Sequence, residues 1–264
     1  MKNRFFTTLL IMFLGSFSLV GNASESKPYL ITVIGAPGTG PMTMALQISK
    51  KYAIPVITPA SLVQEFLHDE SSIGQEVRET ILNQEVLEDT LLFRLFSEYV
   101  EKESLELGLI IEGFPQTLLQ AHAMHEALKA QFSILCFHLD VADKALIERG
   151  VQRLVCSSCG YVTQLVRPED ELVQKCPQCQ YALKQREADR QKELQKQLLE
   201  FHTRVDPILT FFEEEGYLHT IDGNKYVGEH FTPCVIRDMS QVIEAKKKER
   251  SHLPFSSFLD KLSL

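Results

Sequence analysis

A buried strand that runs into a glycine-rich turn and then a helix constrains this chain more than any other feature. Tyr29 to Ile34 read as the strand, and Gly35-Ala36-Pro37-Gly38-Thr39-Gly40-Pro41-Met42-Thr43 as the turn. Met44, Ile48 and Tyr52 mark the inward face of the helix. This is the layout in which backbone N–H groups and a helix N-terminus cradle phosphates. Gly35, Gly38, Gly40 and Thr43 are therefore the candidate phosphate-side residues. The motif G-x-x-x-x-G-K-[ST] also needs a lysine after its last glycine, to reach the outer phosphates. Here that position is Pro41, which has neither a cationic head nor an N–H. Proline suits the first turn of a helix, so the segment equally fits a structural turn that binds nothing.

The N-terminus has the physics of an export signal. Lys2 and Arg4 give a basic start, Phe5 to Val20 an apolar run, and Gly21-Asn22-Ala23 a small-residue cleavage site. The run is too short for a confident membrane span, so export to a secreted or periplasmic location is expected over an uncleaved anchor. Losing Lys2 and Arg4 from the 27 basic and 35 acidic side chains leaves a net charge of −10. That argues against a general polyanion-binding surface, and no nucleic-acid partner is expected. The remaining length suits one α/β core carrying an inserted subdomain. Lys246-Lys247-Lys248 with Arg250 reads as a solvated helix face, and His122, His125 and His138 as ordinary surface or core residues.

Four of the six cysteines fall as Cys156-Ser-Ser-Cys159 and Cys176-Pro-Gln-Cys179, with 16 residues between the pairs. Each pair is spaced to put two thiolates on one ion from a tight turn. Tetrahedral zinc bound by Cys156, Cys159, Cys176 and Cys179 fits, and a closed four-thiolate shell is structural. Two disulfides are the alternative in an oxidising compartment. Cys136, inside the apolar run Ser133 to Leu139, reads as a packed hydrophobe.

Apolar strand-like runs recur at Leu30–Ile34, Val56–Ile57, Leu109–Ile111, Ile134–Leu139 and Leu218–Ile221, with helical stretches between them. That alternation predicts an α/β parallel sheet. Leu194, Leu198, Phe201, Val205, Leu209 and Phe212 predict one long amphipathic helix.

With these features together, the chain resembles the adenylate kinase family in its zinc-containing bacterial type. The anchors run in order: Gly35 to Gly40, Lys51-Tyr52-Ala53-Ile54-Pro55 with Thr58, Glu112-Gly113-Phe114-Pro115, Glu148-Arg149 with Arg153, the four cysteines, and Asp222-Gly223. The resemblance implies a P-loop-type five-stranded parallel sheet flanked by helices. It implies a core domain at 29–249 after a signal at 1–23, with a helical monophosphate-binding segment at about 57–88. A zinc lid at about 154–189 and an extension at 250–264 complete the expected organisation. The extension's apolar face, at Phe255, Phe258, Leu259 and Leu262, either docks on the core or meets a membrane or partner.

The family transfers a phosphoryl group from ATP-Mg to AMP, and the resemblance implies a nucleotide ligand, structural zinc and a monomer. It carries the ATP-side arginine role to Arg149 and Arg153, and the lid arginine and aspartate roles to Arg186 and Asp189. Thr58 and Gln120 take positions around the AMP adenine. Arg149 and Arg153 also suit plain ion pairs with Glu148 or Asp189. Other positions depart. The loop lysine is Pro41, the acceptor-phosphate arginine Val63 (with Gln64 adjacent), and the arginine of Gly-Phe-Pro-Arg is Gln116. Glu112 replaces an aspartate, Ala188 the first lid aspartate and Gln197 a further arginine. Phosphoryl transfer depends on cations around the moving group. Activity lower by at least about three orders of magnitude is expected. A weak kinase, a silent nucleotide-binding module and an interaction scaffold all remain open.

Overall fold

The structure is a computed structural model that describes residues 27–84, 87–164, 175–226 and 230–251. The export-signal reading of the first 23 residues and the apolar face at Phe255 to Leu262 fall outside the described residues.

Five strands form one wholly parallel sheet: β1 (Tyr29–Gly35), β2 (Val56–Ile57), β3 (Leu109–Glu112), β4 (Ser133–Asp140) and, at the far edge, Leu218–Asp222. A second, antiparallel sheet holds β5 (Arg153–Cys156), β6 (Val162–Gln164) and β7 (Leu183–Lys184), which makes the Leu218–Asp222 strand β8. The orders are β2-β3-β1-β4-β8 and β6-β5-β7. The helices are α1 (Pro41–Tyr52), α2 (Pro59–Phe66), α3 (Ser72–Leu82), α4 (Asp89–Lys102), α5 (Leu118–Leu128), α6 (Asp143–Val151), α7 (Gln191–Glu214) and α8 (Phe231–Ser251). The five apolar runs and the long helix lie where their patterns predict.

The near-continuous apolar character of the strands has a direct cause: both sheet faces are covered. Successive strand side chains point to opposite faces. Ile31 and Val33 of β1 pack with Met44 and Ile48 of α1 and Val235, Met239 and Ile243 of α8. Leu30 and Ile34 face the other layer, with Met124 of α5, Leu146 of α6 and Leu198, Phe201 and Val205 of α7. Helices α2, α3 and α4 hold a smaller core of their own, made of Phe66, Ile73, Val77, Leu91 and Leu95. Burying a side chain of this size stabilises by about 1.5–3 kcal/mol, which ties the three helices to one another.

Two surface readings are refined by packing. His125 is buried, its ring set 5.6 Å from that of Phe211 and 5.7 Å from that of Tyr217. The basic run is threaded with acids: Lys246 pairs with Glu249, and Lys247 with Glu244 while lying 4.5 Å over the Tyr52 ring. Cys136 is fully buried, and burial pushes its thiol pKa well up, as suits an inert core residue.

Candidate functional site

The loop after β1 is folded onto its own threonine. The buried Thr39 donates from Oγ1 to the Ala36 carbonyl at 2.8 Å and from its N–H to the same oxygen at 3.0 Å. A Cβ on Gly35 would lie 2.3 Å from that Oγ1, so only glycine fits there. Gly38 and Gly40 have φ of 99° and 77°, a region that disfavours residues with a Cβ. Gly40 caps α1 without a side chain and Pro41 follows at its first positions, so no cap side chain accepts from the first-turn amides. Those amides and the helix dipole face an anion-friendly opening. Thr43 is exposed on that first turn.

In front of the loop is a cleft of about 210 Å³. It is lined by Pro37 and Pro41 of the loop and α1, by Glu112 and Gln116 after β3, and by Phe201, Arg204 and Val205 of α7. Burial raises the Glu112 carboxyl above its ordinary pKa. Gln116 folds its amide back onto the Gly113 carbonyl at 2.9 Å, so it brings no charge to the opening. Lys51, on the helix that begins at the loop, points away. Its Nζ donates to Ser240 Oγ of α8 at 2.8 Å, which removes it as a stand-in for the missing lysine.

The two adenine-side candidates carry structural bonds. Thr58 caps α2: its Oγ1 accepts from Ser61 N–H at 3.0 Å, and Ser61 Oγ accepts from Thr58 N–H at 2.8 Å. This reciprocal pair fixes the entry to α2. Gln120 is buried, donating to Asp89 Oδ1 at 2.7 Å and accepting from Gln116 N–H at 2.6 Å. Val63 and Gln64 line a second cleft of about 420 Å³ with Pro59, Ala60, Leu67, Leu87 and Leu92. That lining is mostly apolar and carries no charge where the resemblance implies a phosphate-binding arginine.

Arg153, Arg186 and Asp189 are brought together. Arg153 Nε and Arg186 Nε donate to Asp189 Oδ2 at 3.0 and 3.1 Å, and both guanidinium groups also reach Oδ1. Desolvation alone would raise the Asp189 pKa, but the bonds from Arg153 and Arg186 outweigh it and hold the carboxyl below its ordinary value. Arg149 goes elsewhere. Its Nη2 donates to the Tyr226 carbonyl at 3.3 Å, and its guanidinium sits 4.7 Å over the Phe231 ring.

The cysteine pairs form two matching knuckles. Cys156 N–H donates to Tyr161 O at 2.8 Å and Gly160 N–H to Cys156 O at 3.0 Å. Cys176 N–H donates to Tyr181 O at 2.7 Å and Gln180 N–H to Cys176 O at 2.8 Å. Gly160 and Gln180 stand at equivalent positions with φ of 73° and 63°. The four Sγ atoms lie within 4.8 Å of one another, and three pairs are at 3.4 Å. Four thiolates about 2.3 Å from one tetrahedral zinc would stand about 3.8 Å apart, so the arrangement fits that ion. Bonds from the Cys159 and Ser158 N–H groups hold the Cys156 thiol below its ordinary pKa, while bonds with Cys176 and Cys179 hold the Cys159 thiol above it.

The comparisons with known proteins agree with this arrangement. The adenylate kinase family model matches residues 33–217, more than half of the chain. The chain belongs to the adenylate kinase family. It is 30% identical over 201 residues to an adenylate kinase of Bacillus pumilus, covering 75% of this chain and 93% of that protein. It is 29% identical over 220 residues to one of Bacillus licheniformis, covering 83% and 99%. An adenylate kinase of Agathobacter rectalis is 28% identical over 210 residues, covering 78% and 97%.

For an adenylate kinase relative, one residue at the loop cleft went unremarked in the sequence. Arg204 lies seven residues after Gln197, two turns along the same helix, and so on nearly the same face. Among the residues lining that cleft it is the one cation.

Proposed function

We propose that this chain is a nucleotide-binding adenylate kinase relative in which transfer between ATP-Mg and AMP is weak or lost. The observation that carries the reading is the distribution of positive charge. Pro41, Val63, Gln116 and Gln197 stand where the family resemblance implies cations. Of the retained arginines, Arg153 and Arg186 share one buried carboxylate, and Arg149 is drawn to Tyr226 and Phe231. Charge developing on a transferred phosphoryl group is stabilised by groups already aimed at it, cations foremost among them. What persists is the glycine loop and the open first turn of α1, which support binding more than chemistry.

Cys156, Cys159, Cys176 and Cys179 would hold one zinc ion. A closed four-thiolate shell supplies a fold staple and no open position for substrate. If Mg²⁺ accompanies ATP, Glu112 is the carboxylate at the loop cleft that would face it through water. The basic start, apolar run and small-residue site at the N-terminus support action outside the cytoplasm. Calorimetric titration of the mature chain with ATP, ADP and AMP tests the reading. Saturable binding is expected, and no heat with any of the three would contradict it.

A further inference from the structure

We propose that Arg204 of α7 is the residue that holds the phosphate of a nucleotide bound at the Gly35–Thr43 loop, in place of the lysine that Pro41 displaces. The proposal rests on the nucleotide-binding reading above.

Arg204 differs from its peers in having nothing to do within the fold. Arg78 donates to the Leu67 and Asp69 carbonyls, and Arg94 to Glu76. Arg149 is bonded to Tyr226, Arg153 and Arg186 to Asp189, Arg190 to Glu187 and Arg237 to Asp238. Among arginines whose side chains are described, Arg204 alone has no hydrogen bond, ion pair or ring contact.

Its place is fixed by its neighbours in sequence. Phe201 and Val205 are buried in the core layer under α7, so the rotation of that helix about its axis is set. That rotation brings Arg204 into the lining of the cleft that Pro37 and Pro41 also line. The loop supplies a helix N-terminus with no cap side chain, an arrangement that favours an anion but provides no full charge. A guanidinium lining the same cleft supplies that charge, and its planar fork matches two phosphate oxygens at once. The cation comes from α7 and not from the loop's own helix. Such an arrangement grips a phosphate without rebuilding the surround that transfer requires.

The test is calorimetry on the wild-type chain, Arg204→Gln and Arg204→Lys, titrated with ATP and separately with adenosine at low and moderate salt. Arg204 is exposed, so the variants should melt with the wild type. The expected result is ATP affinity weaker by about ten- to a hundred-fold in Arg204→Gln, with adenosine affinity unchanged. Arg204→Lys should recover part of the loss, and the salt dependence of ATP binding should shrink in Arg204→Gln. Equal ATP affinity in Arg204→Gln and wild type would overturn the role of Arg204 while leaving nucleotide binding intact. A wild-type chain that binds neither ATP nor adenosine would overturn both.

Discussion

Arg153 Nε donates to Asp189 Oδ2 at 3.0 Å, which locks the first residue of β5 to the helical turn that follows β7. Arg186 reaches the same carboxylate from within that turn. Asp189 is fully buried, so the two guanidinium groups tie the start of β5 and the turn after β7, at one end of the small antiparallel sheet, to one negative charge. Removing that charge leaves two cations facing each other. Arg153 and Arg186 are partly solvated, at 28% and 51% exposure, so water relieves part of the loss. Asp189→Asn is therefore expected to cost about 2 kcal/mol, read as a lower thermal midpoint.

The same carboxylate carries a pH signature. Its folded pKa is depressed, so its contribution is fully present above the unfolded value of about 4. The contribution is lost as pH falls through the lower folded value. Thermal midpoints of wild type and Asp189→Asn should stay apart at neutral pH and converge below about pH 4. A gap that is constant down to pH 2 would contradict the assignment.

Metal removal should act on the cysteine hairpin. One zinc per chain is expected by elemental analysis, and chelation should lower the thermal midpoint and open the hairpin to proteolysis. Cys176→Ser should reproduce the effect without chelator. A chelated protein that melts unchanged, with no free thiols by titration, would instead indicate disulfides.

Gly35 and Thr39 should be coupled. Gly35→Ala puts a Cβ against Thr39 Oγ1 and should destabilise by about 1–3 kcal/mol. Thr39→Ala removes the clashing oxygen, so the double variant should lose less than the sum of the single ones. Denaturant midpoints of the four proteins measure the coupling.

Restoring charge should restore chemistry. Pro41→Lys with Gln116→Arg returns two cations to the cleft, and the backbone there already has the open first turn of α1. ADP formation should rise at least ten-fold over wild type. No gain in a folded double variant would mean that the remaining site is also disabled.

The sheet was legible because its cause is local. Runs such as Leu30–Ile34 and Ile134–Leu139 are apolar on both faces, which only a strand covered on both sides tolerates. The cysteine knuckles were legible because two-residue spacing sets ligand geometry by itself. Arg204 was not legible, since its meaning depends on the packing of α7 against the sheet, and a lone arginine on a charged helix face carries no such signal. Gln120 matched a binding position in sequence, yet its amide is bonded to Asp89, 31 residues earlier, a pairing only tertiary structure reveals. Gln180 at positive φ is a similar case: the knuckle imposes a backbone angle that its side chain does not suggest.

The central claim concerns catalysis, and turnover tests it most directly. The purified mature chain, zinc-loaded, should be assayed for ADP formation from ATP-Mg and AMP beside the Bacillus licheniformis adenylate kinase. A rate lower by about three orders of magnitude or more is the expected result. A rate equal to that relative's would contradict the account.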